Sequence, residues 1–257
     1  MIVKKSPAEI DKMAAAGAVL VKTMDLLAGK VRAGVTTLEL DRAAERFIRS
    51  QGATPAFKGY RGFPGSICAS PNHMVVHGIP GKFKLKRGDV LSVDIGVVLD
   101  GWVADAARTF AVGEVSPVAS KLLEVTEGSL LQAVDRCRPG NRLGDVSHAI
   151  QEHVEAGGFS IVRSLVGHGI GRSMHEEPQI PNYGPPGKGV PLEEGMVLAV
   201  EPMVTAGRHM VRMGDDGWAI YSQDGSLAAH FEFTIAVTAH DPRILTPWHE
   251  SKAAAAA

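Results

Sequence analysis

Five polar residues of this chain sit among apolar neighbours that leave them little access to water: Asp94, Asp105, His168, Glu201 and Glu232. Asp94 and Asp105 belong to one hairpin signal, in which Asp100 and Gly101 separate the β-branched runs Asp89 to Val98 and Val103 to Val112. If Asp100 and Gly101 form a two-residue turn, facing positions sum to 201 (100 plus 101), so Asp94 faces Ala107. Asp105, two residues along the same strand, then shares a face with Asp94. Such diagonal neighbours stand roughly 7–8 Å apart at Cα, close enough for two carboxylates to share cations. A buried carboxylate without a partner is costly, so two on one apolar hairpin demand bases, hydrogen-bond donors or metal. The bland alternative pairs Asp94 with a core arginine such as Arg108 and lets Asp105 cap a turn.

His168 between Gly167 and Gly169, Glu201 before Pro202, and Glu232 between Phe231 and Phe233 shift that balance. Together the set provides four carboxylates and one imidazole. It is oxygen-rich and suits divalent Mn, Fe, Co or Zn rather than a thiolate site. Four acids overcharge a single ion but can bridge two ions about 3.5–4 Å apart. The sequence therefore predicts two divalent metal ions of unspecified identity.

Elements must hold these residues together across more than a hundred positions. Ser6, Pro7 and Glu9 supply N-cap, first-turn proline and capping-box acid for a helix to about Ala28. Thr36 and Glu39 repeat the capping logic for a second helix ended by Gly52. Ser116 and Pro117 open a third helix to about Arg136, and a fourth runs from about Leu143 to Ala156. At an offset of 106, Arg32 meets Arg138, Gly34 meets Gly140, Glu39 meets Asp145, Ala43 meets Ala149 and Gly52 meets Gly158. The expectation is one domain over 1–251, built from related halves at about 6–115 and 116–245. Val197 to Val204 and Ala229 to Thr238 read as buried strands, and the stretch from Gly184 to Gly195 as a surface loop.

With 257 residues, 45% hydrophobic and 21% charged, the chain can bury a full core. Its 27 basic and 28 acidic residues are interspersed and leave a net charge of −1, which predicts no nucleic-acid footprint and no membrane patch. Cys68 and Cys137 are too few for a disulfide framework and read as reduced thiols of a cytosolic protein. The N-terminus has no apolar leader, and the final Lys252 with its five alanines reads as an appended tail. Residues 82–87 read as a solvated loop, and His148 with His153 as decoration on the exposed side of a helix. The glycine-rich run 167–171 lacks the strand-to-helix context of a dinucleotide loop.

The chain resembles the type I methionine aminopeptidases, an α+β family of the creatinase-like pita-bread fold. The resemblance runs from about Ser6 to Leu245 and is carried by residues 70–80, the Asp94 to Asp105 hairpin, residues 167–178, Glu201-Pro202-Met203 and the strand holding Glu232. It implies that Asp94, Asp105, His168, Glu201 and Glu232 are the metal ligands, with Asp105 and Glu232 bridging. It implies too that His77 and His175 flank the scissile amide, that Glu201 shuttles a proton, and that a metal-bridging water or hydroxide attacks the carbonyl. Phe57, Tyr60, Phe63, Cys68, Met174 and Trp218 would surround the methionine side chain, Met174 standing where relatives often have phenylalanine. The implied partners are N-termini of nascent polypeptides, with ribosome association in view, and the implied state is a cytoplasmic monomer. Two rivals are an Xaa-Pro peptidase of the same fold, which usually carries a sizeable N-terminal domain, and a non-catalytic peptide- or ribosome-binding module, which typically loses metal ligands. The N-terminal zinc-finger extension of eukaryotic type I relatives and the helical insertion of type II enzymes have no counterpart here, so the expected form is the compact bacterial one.

Overall fold

The computed structural model describes residues 1–251, so the appended tail lies outside the described residues. Four helices follow the capping signals: α1 is Pro7–Ala28, α2 Thr37–Ser50, α3 Pro117–Val134 and α4 Leu143–Ala156. At the start of α1 the Ser6 backbone N–H donates to Glu9 Oε2 at 2.9 Å, and at α2 the Thr36 N–H donates to Glu39 Oε2 at 2.8 Å. Both satisfy donors that the first helical turn leaves free. The offset of 106 carries into three dimensions, since 37 plus 106 is 143 and 50 plus 106 is 156, the bounds of α4. Gly52 and Gly158 both leave their helices in the left-handed region, at φ 75° and 84°.

The hairpin of Val90–Leu99 and Trp102–Ala111 has the expected register, with Asp94 opposite Ala107 and Gly96 opposite Asp105. Asp100 and Gly101 take φ 50° and 75°, the positive values that a primed hairpin turn needs. Strands Thr54–Pro55 and Cys68–Pro71 complete this sheet. Val93, Ile95 and Val97 join Leu20, Met24 and Leu27 of α1 in the main core. Strand alternation then turns Asp94 to the opposite face, toward the centre of the molecule.

The second half differs from expectation at two places. Val197 to Val204 is split into Val197–Val200 and Met203–Thr205, and Ala229 to Thr238 into Ala228–His230 and Phe233–Ala236. The breaks fall at Glu201-Pro202 and at Phe231-Glu232. Pro202 has no N–H for a ladder, and the chain changes sheets there. Val197–Val200 pairs with Phe233–Ala236 in a five-stranded sheet, whereas Met203–Thr205 pairs with Ala228–His230 in another. Glu201 and Glu232 thus sit where two sheets diverge, which frees their side chains from both. The loop at 82–87 is solvated apart from the buried Leu85, as expected. His153 is different, because its ring lies against Gly128 of α3 and is half-buried in the helix interface rather than free on the surface. No helix of the described residues is long and apolar enough to cross a membrane.

Candidate metal centre

One cavity of about 180 Å³ gathers Asp94, Asp105, His168, Glu201 and Glu232 with His77 and His175. Hydrogen bonds between the halves, and one from Trp248, hold it in place. Thr234 Oγ1 accepts from the Asp105 N–H at 3.0 Å and donates to the Asp105 carbonyl at 2.7 Å. The Glu232 N–H donates to the Ala107 carbonyl at 2.9 Å, and Trp248 Nε1–H donates to the Glu232 carbonyl at 3.0 Å. Side chains of Thr234 and Trp248 therefore fix backbones, leaving both carboxylates free to face the cavity.

Asp94 Oδ1, Asp105 Oδ1 and Glu232 Oε1 are buried without a hydrogen-bond partner. Ligand atoms of Asp105, His168 and Glu232 all lie within 4.8 Å of one another. Burial raises the pKa of Asp94 to about 7 and of Glu201 to about 8, and pushes Asp105 and Glu232 well above the usual carboxylate range, reinforced by their neighbouring acids. Four carboxyl groups crowded without cations are what divalent metal binding would resolve, so the donor set fits the implied ions. His168 is prepared for the same purpose. Its Nδ1 lies 2.9 Å from the Gly169 carbonyl, an acceptor, so Nδ1 carries the proton and Nε2 presents a lone pair. That Nε2 is 3.7 Å from Glu201 Oε1 and 3.9 Å from Asp105 Oδ2. Burial also lowers the His168 pKa to about 4, which keeps the ring neutral. The alternative partner Arg108 lies opposite Val93 on the other face, packed over Phe110 and Trp248.

Residues 11–239 match metallopeptidase family M24. The chain belongs to that family. M24 relatives include the methionine aminopeptidase of Clostridium perfringens, 53% identical over 96% of this chain and 99% of that protein. Methionine aminopeptidase 1 of Bacillus subtilis is 52% identical, again over 96% and 99%. The crystal structure of the methionine aminopeptidase from Rickettsia prowazekii superposes with a TM-score of 0.94 at 42% identity, covering 96% of this chain and all of that one. The prolidase from Pyrococcus furiosus shares only the fold, at a TM-score of 0.78 and 22% identity. The M24 chain described here thus has the pita-bread fold and is a metallopeptidase that uses divalent metal.

The cavity continues into an apolar end lined by Phe57, Tyr60, Phe63, Cys68 and Trp218, the expected pocket residues. Phe63 and Trp218 meet edge to face with centroids 5.1 Å apart. Met174 is not among the residues that line the cavity. It packs one layer behind, where its methyl, Ala56 and Phe57 fill the space that the missing side chain of Gly96 leaves open. Tyr60 has a second part, because its hydroxyl lies 2.8 Å from His175 Nδ1 and the two rings stack.

Two residues in this M24 site escaped the sequence reading. Arg61, at φ 48° in the turn between Gly59 and Gly62, lines the cavity and adds to the burial that lowers the His175 pKa. His230 is 2% exposed, has no hydrogen bond on either ring nitrogen, and puts Nε2 3.3 Å from Glu201 Oε2. Its spacing of two from Glu232 was the available signal.

Proposed function

We propose that this chain is a methionine aminopeptidase, hydrolysing the bond after an N-terminal methionine when the following residue is small. The observation that carries the reading is the continuity of one cavity from a cluster of four buried carboxylates to an apolar end with room for a thioether. A free α-amine would ligate a divalent ion held by these acids, which favours action at a free N-terminus. Phe57, Phe63 and Trp218 offer aromatic faces to a sulfur atom, contacts worth about 0.3–1.5 kcal/mol.

Asp94, Asp105, His168, Glu201 and Glu232 would hold the metal, with Asp105 and Glu232 shared between two ions of Co, Mn, Fe or Zn. Divalent ions at such a site act as Lewis acids and lower the pKa of water toward neutrality. Glu201 would take a proton from the attacking water and pass it to the departing amine. Tyr60 donates its hydroxyl hydrogen to His175 Nδ1, which leaves the proton on Nε2, free to donate to the scissile carbonyl oxygen as negative charge develops. Burial, and then the charge of Arg61, lower the pKa of that imidazole and so favour its neutral form. His77, on the cavity wall with a lowered pKa, would face the amide nitrogen. The two halves form a single catalytic domain over 1–251, working as a cytoplasmic monomer on nascent chains at the ribosome. The test is to strip the metals and assay methionine release from Met-Ala-Ser while adding back one divalent ion at a time. Release should return with at least one ion in the wild type and not in Asp105→Ala, which should also lose bound metal; no release with any ion overturns the reading.

A further inference from the structure

The even mixing of 27 basic and 28 acidic residues along the chain does not survive folding. A surface groove between the end of α1 and α2 is lined by Lys30, Arg32, Arg42 and Arg46, with Glu39 as its acid. Glu39 is already engaged, accepting from the Thr36 N–H at 2.8 Å and the Thr36 hydroxyl at 2.6 Å. Asp41 turns inward, where it accepts from the Ser66 and Ile67 amides, and is 6% exposed. The loop carrying Lys82 and Lys84 is stitched along the same edge. Leu85 N–H donates to the Val35 carbonyl, Gly34 N–H to the Leu85 carbonyl, and Thr37 N–H to the Phe83 carbonyl. The charges of Lys84 and Arg32 both act on Glu39. All six cations are exposed, and among the described residues none of them forms an ion pair.

The second half of the chain serves as an internal control. At the offset of 106 the glycines, the capping acid and the cations of the preceding turn recur, with Lys30 meeting Arg136 and Arg32 meeting Arg138, but Arg42 meets His148 and Arg46 meets Glu152. The two arginines of α2 are therefore no requirement of the helix-pair architecture. With Glu39 as the one acid lining the groove, the cations outnumber the counter-charge and repel one another, a cost that a polyanion would remove.

We infer that this groove docks the phosphate backbone of RNA. Arg32, Arg42 and Arg46 present guanidiniums, whose fork matches phosphate oxygens two at a time. Phe83, 43% exposed on the adjoining loop, offers a face for an unpaired base. A lipid surface would need a broader apolar face, and Phe83 is the one large exposed apolar side chain among described residues 30–90. The inference goes beyond the peptidase reading and does not rest on it.

The experiment measures fluorescence anisotropy of a labelled stem-loop RNA with the full chain, from about 50 to 300 mM salt. Four to five single-strand phosphate contacts give a slope of log K against log salt of about −3, at roughly −0.7 per contact. The triple variant Arg32→Gln, Arg42→Gln, Arg46→Gln should bind at least about tenfold more weakly near 100 mM salt and flatten the slope by about 2. A matched triple on other faces, Lys121→Gln, Lys188→Gln, Arg212→Gln, should bind like the wild type. Both triples should cleave Met-Ala-Ser at the wild-type rate. If the first triple fails to fold, Arg42→Gln alone should flatten the slope by about 0.7. Absence of RNA binding at the lowest salt, or equal losses in both triples, overturns the inference. Preferential binding to phosphatidylglycerol vesicles that RNA does not displace overturns it as well and assigns the groove to lipid.

Discussion

Stripping the metal should invert the ordinary pH dependence of stability above neutrality. The carboxyl groups of Asp94 and Glu201 titrate at about 7 and about 8 in the fold, against about 3.9 and 4.3 for free side chains. Because the folded pKa is the higher one, their stabilising contribution is complete below pH ~4 and is lost as pH rises through 7 and 8. His77, His168, His175, His230 and His249 have lowered folded values, so they act in the opposite direction, most strongly below about pH 6.5 and fading over the next pH unit. Between pH ~6.5 and ~8 the four acids outweigh them. Integrating proton binding over that window gives on the order of 2 kcal/mol for Glu201 and Asp94 together, with Asp105 and Glu232 acting in the same direction. For a chain of this size that corresponds to a fall in Tm of roughly 5–10 °C. Scanning calorimetry of chelator-treated protein measures it directly. Divalent metal binds the ionised carboxylates, so the increase in Tm on adding Mn²⁺ should grow across the same window. Glu201→Gln, which removes one raised carboxyl, should stabilise the stripped protein at pH ~8 relative to wild type. A stripped protein whose Tm is flat or rising from pH ~6.5 to ~8 would refute the crowding of acids on which the metal assignment rests.

Three further outcomes follow from the site. His175→Ala should lower kcat by roughly 10²–10³ with metal content unchanged, as when one oxyanion donor is removed; Tyr60→Phe should show a smaller loss in kcat, and loss of metal in either would instead make His175 a ligand. His230→Leu should weaken metal binding by roughly 10–100-fold in a calorimetric titration, with His230→Gln restoring most of it, because Nε2 would orient the Glu201 carboxylate; equal affinity in His230→Leu and wild type would refute that role. Met174→Phe overfills the layer bounded by Gly96, Ala56 and Phe57, so it should cost about 1–3 kcal/mol in stability. Through Phe57 it should also raise the ratio of kcat/KM for Met-Ala-Ser over Leu-Ala-Ser, and an unchanged or smaller ratio would show that this layer does not shape the pocket.

Much of this architecture is legible locally. Ser6, Pro7 and Glu9 settle where α1 begins because a helix start is decided by donors within one turn. Asp100 and Gly101 settle the hairpin register, and hence the shared face of Asp94 and Asp105, because a two-residue turn leaves one way to pair its strands. The five residues of the proposed metal centre stood out for a related reason: ionisable groups amid apolar runs need a partner that the sequence itself does not supply.

Only the tertiary structure decided how those local pieces meet. The strand breaks at Glu201 and Glu232 arise where one segment is claimed by two sheets, a competition between partners that lie far away in the chain. The Tyr60 bond to His175 spans 115 positions, and the contact of His230 with Glu201 depends on the same divergence of sheets. Met174 was expected on the pocket wall, but a glycine at position 96 of another strand opens a space behind it that the side chain fills. Charge behaved in the same way. Basic residues that alternate with acids along the chain gather in one groove while Asp41 turns its carboxylate inward onto the Ser66 and Ile67 amides, a use of charge that appears only once α2 and its neighbours have packed.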